Sequence, residues 1–203
     1  MESADAPRHI PPYARTTDTT PTNQPANPEK DVPMGRDMQV SDSVVIATDA
    51  LTIYEQVADP TQMSRWSPEN TGVTTTAAGR PLTKGEVFDG SNKRGRARWS
   101  TECVVTVAEP GRRFAFDVRK IGARTPFIPG QIASWDYTFE AVGAGTRVTE
   151  TWTDRRRGWP DWVAAIFDKA ATGGRLFSDF QRRNIKRTLA AMKADFESAG
   201  LSG

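Results

Sequence analysis

The chain has 203 residues, a formal net charge of +2 and 37% hydrophobic residues, which suit one domain of ordinary size with an appendage. Cys103 is the only cysteine, so an intrachain disulfide is excluded, and the only histidine is His9. Residues 10–203 therefore have no imidazole for general base catalysis, for a catalytic triad or for a histidine metal site. We predict that the protein uses no metal and no cofactor.

The first 39 residues are predicted to form a disordered tail. Seven of the 14 prolines lie there, among Thr, Asn, Asp and Ala, without Trp or Phe. Such a composition cannot bury enough apolar surface to offset the conformational entropy of the chain. The tail has no apolar region of a signal peptide, and no run in the chain is long enough to span a membrane. Together with the single cysteine, this predicts a cytoplasmic protein.

The folded domain is predicted over residues 40–200, beginning with a short strand at Ser43–Ala47. Asp49 or Thr48 is suited to cap a helix that runs to about Val57, and a second helical turn starts at Asp59-Pro60. From residue 71 to residue 154 the hydrophobic residues alternate with a period of two, which predicts strands joined as hairpins. The predicted strands are Thr71–Thr76, Gly85–Gly90, Arg96–Val107 and three runs centred on Phe116, Tyr137 and Glu150.

A helix over 161–170 precedes the last predicted element, a long amphipathic helix at Arg175–Ser198. Its apolar side chains recur mostly every three to five residues, and basic residues fall between them. So wide a stripe must be buried, and no other segment is long enough to be a helical partner. The stripe consists of Phe177, Phe180, Ile185, Leu189, Met192 and Phe196. We therefore predict an α+β fold, with a curved antiparallel sheet of about seven strands around this helix.

Three segments resemble the SRPBCC/START-like superfamily, specifically its polyketide cyclase/dehydrase-like proteins, which are common in actinobacteria. They are VADPTQMSRWSPE at Val57–Glu69, the three-strand region Gly85–Val118, and TRVTETW at Thr146–Trp152. The resemblance covers about Val40–Ala199 and implies the helix-grip fold. Members of the superfamily include carriers of lipids and other hydrophobic ligands, polyketide aromatase/cyclases and many proteins of unknown role, so the resemblance implies a cavity rather than a particular reaction. No catalytic signature of that superfamily is matched residue by residue.

In such a fold, an apolar pocket between sheet and helix is the default binding site. Alternate side chains of each strand face the inner side of the sheet and are predicted to line the pocket. Trp66 is expected near the mouth, and two phenylalanines of the last helix are expected to face the sheet. The predicted ligand-binding residues are Trp66, Phe88, Trp99, Cys103, Phe116, Trp135, Tyr137, Trp152, Phe177 and Phe180. The alternative interpretation is that these aromatic residues only pack the core. The expected ligand is small and hydrophobic, and resembles a lipid, a polyketide or an aromatic compound.

Glu150 and Tyr137 are the candidate catalytic residues if the protein is an enzyme. The alternation Val148–Glu150–Trp152 points the carboxyl group of Glu150 inward, where an isolated charge is costly. It would then be a proton donor or a ligand anchor beside Tyr137, in a cyclase/dehydratase without metal or histidine. Alternatively, Glu150 pairs with an arginine of the last helix, or twist exposes it. Cys103 is expected to be a small buried hydrophobe, since it has no histidine partner.

Two basic clusters, Lys93–Arg98 and Arg155–Arg157, raise the question of a charged partner. A solvated rim explains them, and an anionic membrane surface or an acidic head group is the alternative. Nucleic acid is not expected, because the aromatic residues face inward and cannot form a stacking platform. A further hypothesis is an interaction module in which the tail docks a partner while the domain senses a ligand. Nothing in the sequence indicates an oligomeric state.

Overall fold

A computed structural model describes residues 37–200 of the chain. The predicted disordered tail lies outside the described residues except for its last three positions, and the first strand begins at the last of these, Gln39. The elements in chain order are β1 (Gln39–Ile46), α1 (Ala50–Val57), a 3₁₀ helix (Pro60–Arg65), β2 (Asn70–Thr74), β3 (Val87–Arg94), β4 (Ala97–Glu109), β5 (Arg113–Gly122), β6 (Ile128–Val142), β7 (Gly145–Asp154), α2 (Asp161–Thr172) and α3 (Phe177–Gly200). The predicted helix-grip fold is confirmed.

The seven strands form one antiparallel sheet in the order β1-β7-β6-β5-β4-β3-β2. Register shifts interrupt the pairing of β4 with β5, of β5 with β6, and of β2 with β3. Such bulges bend a strand and increase its twist, so they curl the sheet. Strand β1 lies at one edge of the sheet and pairs with β7, the last strand in the chain. Helix α3 packs against both of these strands.

Local capping chemistry explains where the helices start and stop. The Asp49 carboxylate accepts a hydrogen bond of 2.9 Å from the Thr52 amide and caps α1, as predicted. Asp59 caps the 3₁₀ helix in the same way, through the amide of Thr61 at 3.0 Å. Helix α2 ends at Gly173, whose φ of +72° is the left-handed conformation that glycine adopts without a steric penalty.

The core lies between the sheet and the helices on its concave side. Ile46, Ile53, Phe114 and Val148 are completely buried there, and Ile185 of α3 joins the same cluster. Tyr54 packs edge-on against Phe114 and Phe139, with ring centroids 6.4 and 5.8 Å apart. Between this core and the start of α3, the space under the helix is left open as a cavity.

Several boundaries differ from the sequence interpretation. Strand β1 begins at Gln39, four residues before the predicted start, and β3 continues to Arg94, four residues beyond the predicted end. Strand β6 begins at Ile128, well before the alternating run centred on Tyr137, because Ile128 and Pro129 pair with Ile121 and Lys120 of β5. Helix α3 begins at Phe177, two residues later than predicted. Within residues 37–200, no helix combines the length and the apolar character that crossing a bilayer requires.

Candidate functional site

A cavity of about 750 Å³ lies between the sheet and α3. This is within the range of small-molecule sites, roughly 300–1,000 Å³. Its walls come from β3 to β7, from the 3₁₀ helix and from one side of α3. Most of the lining is aromatic or aliphatic, so the space suits an organic molecule better than a cluster of water.

Nine of the ten residues predicted to bind a ligand line this cavity. They are Trp66, Phe88, Trp99, Cys103, Phe116, Trp135, Tyr137, Trp152 and Phe177. The strand register brings them together, because Trp135 lies opposite both Phe116 and Trp152, and Phe88 lies opposite Cys103. Period-two alternation then turns all of these side chains to one face of the sheet. That they bind a ligand stays a prediction.

Phe180 is the predicted ligand-binding residue that does not line the cavity. Its ring lies 3.8 Å below the guanidinium carbon of Arg94, which also contacts Trp99 and pairs with Glu69. The reason is the helical rotation between Phe177 and Phe180, which turns the second ring to the flank of α3. Ile185, a member of the predicted apolar stripe of α3, is completely buried and packs in the core outside the cavity lining.

The wall that α3 contributes is more polar than predicted. Between Phe177 and Met192 it presents Gln181, Asn184 and Thr188, each less than a tenth exposed. Asn184 donates to Glu69 at 3.0 Å, which ties this wall to the segment before β2. The sequence interpretation missed these three residues. Their spacing of three and four, in register with Phe177 and Met192, was the available signal.

Met192 and Trp66 lie at the inner end of the cavity. The indole nitrogen of Trp66 donates to Asp195 at 2.8 Å, and its ring stacks on Phe196 with centroids 5.7 Å apart. Trp66 is only 5% exposed, so the expectation that it stands near the mouth is wrong. Met192 belongs to the apolar stripe of α3 that is predicted to be buried. It is buried in the core cluster, yet it also borders the open space.

The mouth of the cavity is defined by the exposed residues of the lining. All seven belong to three segments, the start of β4, the start of β6 and the β7–α2 connection: Ala97, Arg98, Ile128, Pro129, Gly130, Gln131 and Trp159. The register explains why these segments meet, since Ser100 near the start of β4 pairs with Gly122 at the end of β5. The hydroxyl of Ser100 also donates to the carbonyl of Arg124 at 2.8 Å.

A buried ion cluster joins the last strand to α2 and α3 beside the mouth. Arg156 donates to Asp154 at 2.7 Å and to Asp168 at 2.8 Å, and the second oxygen of Asp168 accepts from the Phe177 amide at 3.0 Å. The Arg156 guanidinium also lies 4.8 Å from the ring centre of Phe177. These contacts fix the start of α3, and with it the position of Phe177 in the cavity wall.

Tyr137 and Glu150 form a buried pair in the sheet wall. The Tyr137 hydroxyl donates to Glu150 Oε1 at 2.9 Å, while Glu150 Oε2 has no hydrogen-bond partner in the described part of the chain. Burial raises the pKa of Glu150 from 4.5 to about 8, against the smaller opposing effect of the tyrosine. Burial also raises the pKa of Tyr137 well above its usual 10. At neutral pH both groups are therefore mainly protonated.

Neither alternative considered for Glu150 occurs. Its side chain is 2% exposed, so the twist of the strand does not bring it to solvent, and its polar contact is with Tyr137 rather than with an arginine of α3. Burial also raises the pKa of the Cys103 thiol to about 12. Since the thiolate is the reactive form, Cys103 is unsuited to nucleophilic catalysis and packs as a small hydrophobe.

A curled antiparallel sheet that holds a long C-terminal helix over an aromatic cavity defines the START-like class of ligand-cavity folds. The family described as polyketide cyclase / dehydrase and lipid transport matches residues 37–197, which is most of the chain. The protein belongs to this family. No functionally curated protein matches the sequence at a significant level.

Solved structures agree with the fold. A START superfamily protein from Mycobacterium smegmatis superimposes with a TM-score of 0.56 at 14% identity, covering 79% of this chain and 98% of that chain. The protein Ms6760 from the same organism gives a TM-score of 0.55 at 17% identity, with coverages of 80% and 92%. DR_A0006 from Deinococcus radiodurans gives 0.53 at 17% identity, with coverages of 79% and 98%. At these identities the similarity shows the fold alone.

Proposed function

We propose that the protein binds a small hydrophobic ligand in the cavity between the sheet and α3. The observation that carries this proposal is the open volume of about 750 Å³ inside an aromatic wall. A side-chain core of ordinary density leaves few voids larger than a water molecule, so a space of this size is not a by-product of packing. The lipid-transport part of the family description supports the same proposal.

The two walls indicate the ligand's chemistry. Trp135, Tyr137 and Trp152 of the sheet offer flat apolar surface, whereas Gln181 and Thr188 of α3 offer an amide and a hydroxyl. An apolar skeleton that carries hydroxyl or carbonyl groups along one side would meet both walls. Hydroxylated polyaromatic compounds, polyketide-like molecules and sterols have this character, and a plain alkyl chain uses only the first wall.

Tryptophan fluorescence tests the proposal directly. Five of the six tryptophans line the cavity, and the exception, Trp162, lies on α2 and is 69% exposed. Titration with a polyphenol, a sterol and a fatty acid should change the emission at saturable concentrations for at least one of them. The variant Trp162→Phe should keep the ligand-dependent change, because the removed fluorophore is outside the cavity.

A cavity-filling variant provides the matched control. Thr188→Phe adds a ring on the cavity side of α3, and Ala190→Phe adds the same ring on an exposed position of the same helix. Binding should be lost in the first variant and kept in the second, with thermal melts showing that both are folded. Equal binding in both variants would place the ligand elsewhere and end the proposal. The absence of a saturable fluorescence response to the polyphenol, the sterol and the fatty acid would also end the proposal.

A second candidate function is a cyclase or dehydratase that acts in the same cavity. The observation that favours it is the buried Tyr137–Glu150 pair, in which Glu150 has a pKa of about 8. Protonated Glu150 can give its proton to the departing hydroxyl, and the carboxylate that this leaves can take the proton from the α-carbon, so that the C–OH and Cα–H bonds break, a C=C bond forms and water leaves with Glu150 protonated again. The adjacent phenol can polarise the carbonyl group of the ketone. A β-hydroxy ketone that loses water is the matching substrate class.

This candidate is tested by turnover of such a ketone in the wild type and in two conservative variants. Glu150→Gln removes the acidic proton and should abolish dehydration, while Tyr137→Phe should reduce it. Unchanged turnover in both variants would remove these residues from the reaction. Saturable ligand binding without any turnover would leave the carrier function in place and discard the enzyme.

A further inference from the structure

Large exposed hydrophobic side chains concentrate around the cavity mouth. Within residues 37–200, eight such side chains are at least 40% exposed, and five of them lie in the β5–β6 connection, the β7–α2 connection or α2: Phe127, Ile128, Trp159, Trp162 and Ile166. Trp162 and Ile166 are four residues apart on α2 and therefore share one side of that helix. Ile128 and Trp159 line the cavity mouth themselves. Large apolar side chains exposed beside a cavity entrance mark a surface that contacts a partner or a membrane.

Positive charge concentrates in the same place. We define the mouth surface as the segments 93–98, 122–130 and 155–175, which contribute the exposed rim of the cavity and α2. These segments contain ten Lys and Arg against two Asp, a net charge of +8, whereas the whole chain has +2, so the rest of the chain is −6. Positive charge is therefore concentrated in these three segments.

Most of this charge is free to meet a partner. Seven basic side chains of the mouth surface are exposed and form no ion pair with another described residue: Lys93, Arg96, Arg98, Arg124, Arg157, Lys169 and Arg175. One of the two aspartates, Asp168, is already neutralised inside the buried cluster with Arg156. The solvated-rim interpretation explains the seven cations but gives no reason for the exposed tryptophans, Trp159 and Trp162.

We propose that the mouth surface docks on an anionic lipid bilayer and so opens the cavity toward the membrane. Tryptophan, phenylalanine and isoleucine enter the boundary between head groups and acyl chains, where an amphipathic indole is favoured. The surrounding arginines and lysines pair with anionic head groups. Helix α2, with Trp162 and Ile166 on one side, is suited to lie in the plane of the interface.

A bilayer fits these observations better than an acidic protein. An acidic protein surface would pair with the seven cations, but the apolar side chains of α2 and of the β5–β6 connection would then need a specific pocket on that protein. A bilayer accommodates cations and apolar side chains together without such a pocket. The proposal goes beyond ligand binding, because docking on vesicles without ligand depends only on the surface.

Vesicle flotation with the full chain tests docking. The protein should float with vesicles of phosphatidylcholine mixed with phosphatidylglycerol, and much less with pure phosphatidylcholine. Added salt should weaken the binding, because exposed charges are screened. Binding that is equal for both lipid compositions, or absent for both, would overturn the proposal.

Two pairs of matched variants locate the contact. Arg96→Gln with Arg124→Gln should weaken binding to the anionic vesicles by roughly thirty-fold, from the contribution of each cation near a charged membrane. The control is Lys84→Gln with Arg112→Gln, two exposed cations at the opposite end of the sheet. A loss in the control as large as in the mouth variant would mean non-specific charge attraction and would refute the mouth surface as the contact.

The apolar contribution has its own control. Trp162→Ala with Ile166→Ala should also weaken vesicle binding, while Leu51→Ala with Val87→Ala, two exposed apolar residues away from the mouth, should not.

Soluble polyaspartate tests the alternative of an acidic protein partner. If the unmodified protein binds polyaspartate tightly and does not bind the anionic vesicles, the partner is an acidic protein and the proposal is wrong. Ligand titration of the same variants by fluorescence separates the two proposals, because docking can fail while the cavity still binds its ligand.

Discussion

Replacing Glu150 by glutamine should change how the stability of the protein depends on pH. The carboxyl group has a pKa of about 8 in the folded chain and 4.5 as its ordinary value. Between these two values the folded protein holds a proton that the unfolded chain releases. Unfolding therefore becomes easier as pH rises. The contribution of Glu150 is fully present below pH 4.5 and is lost as pH rises through about 8.

The size of the effect follows from the shift. One pKa unit corresponds to about 1.4 kcal/mol, so a shift of this extent is worth on the order of 5 kcal/mol across the whole window. That is comparable to the entire stability of many domains, which is roughly 5–15 kcal/mol. Because the group is 2% exposed, solvent screening reduces the effect little.

The assay is urea denaturation at a series of pH values from 5 to 9, about one unit apart, with the free energy of unfolding extrapolated to water. The wild type should lose stability steadily across the series relative to Glu150→Gln, whose side chain has the same shape and no titrating proton. The amide oxygen of glutamine can still accept the hydrogen bond from Tyr137. Parallel curves for the two proteins would mean that Glu150 is ionised in the folded state, which would refute both the raised pKa and its use as a proton donor.

Three further predictions concern the framework of the site. Asp168→Asn should destabilise the protein by about 3–5 kcal/mol in urea melts, because it leaves the buried Arg156 short of a carboxylate. Ile185→Ala should cost about 2–5 kcal/mol without rescue by ligand, whereas Met192→Ala should cost less and be partly restored by a ligand that enters the enlarged cavity, as thermal shifts would show. Gly145→Ala should lower the melting temperature, because an added Cβ would lie 2.2 Å from the carbonyl oxygen of Ile46.

The strands and the sheet wall of the cavity were predictable because they depend on the two-residue alternation of apolar and polar side chains, which is visible within each segment. Alternation around Trp135 and Tyr137 assigns each side chain to a face without knowledge of the neighbouring strand. The meander follows from short connections, and the burial of α3 follows from its apolar stripe. The resemblance to a START-like family supplied the topology in which these pieces combine.

The helix wall was not predictable in the same way. A pattern of hydrophobicity separates apolar side chains from polar ones, and it assigns polar residues to solvent. Gln181, Asn184 and Thr188 are polar and buried, because the space that they face is a cavity rather than a packed core. The wrong placement of Phe180 has the same origin, since an apolar stripe that spans half of the helix does not show which of its edges lies over the open space.

The position of the mouth also depends on long-range pairing. Residues 94–98 and 122–128 are far apart in the chain, and neither segment alone indicates an entrance. They meet because β4 and β5 pair as far as Ser100 and Gly122. The end of β7, at Asp154, pairs with Ala133 of β6 and brings the basic run that follows to the same end of the sheet. The charge asymmetry at the mouth therefore emerges only when the sheet is formed.

The buried acid is the feature that a purely structural core explains least. An apolar residue at position 150 would bring no carboxyl oxygen into the interior, whereas Glu150 leaves its Oε2 without a hydrogen-bond partner among the described residues. Leaving one carboxyl oxygen without a partner in a buried position costs free energy. Sequences that specify a single fold violate such rules mainly where function requires it. Because Glu150 lies in the wall of a cavity that is already large enough for a ligand, the cost is best explained by a molecule that interacts with this group, either held by it or protonated by it.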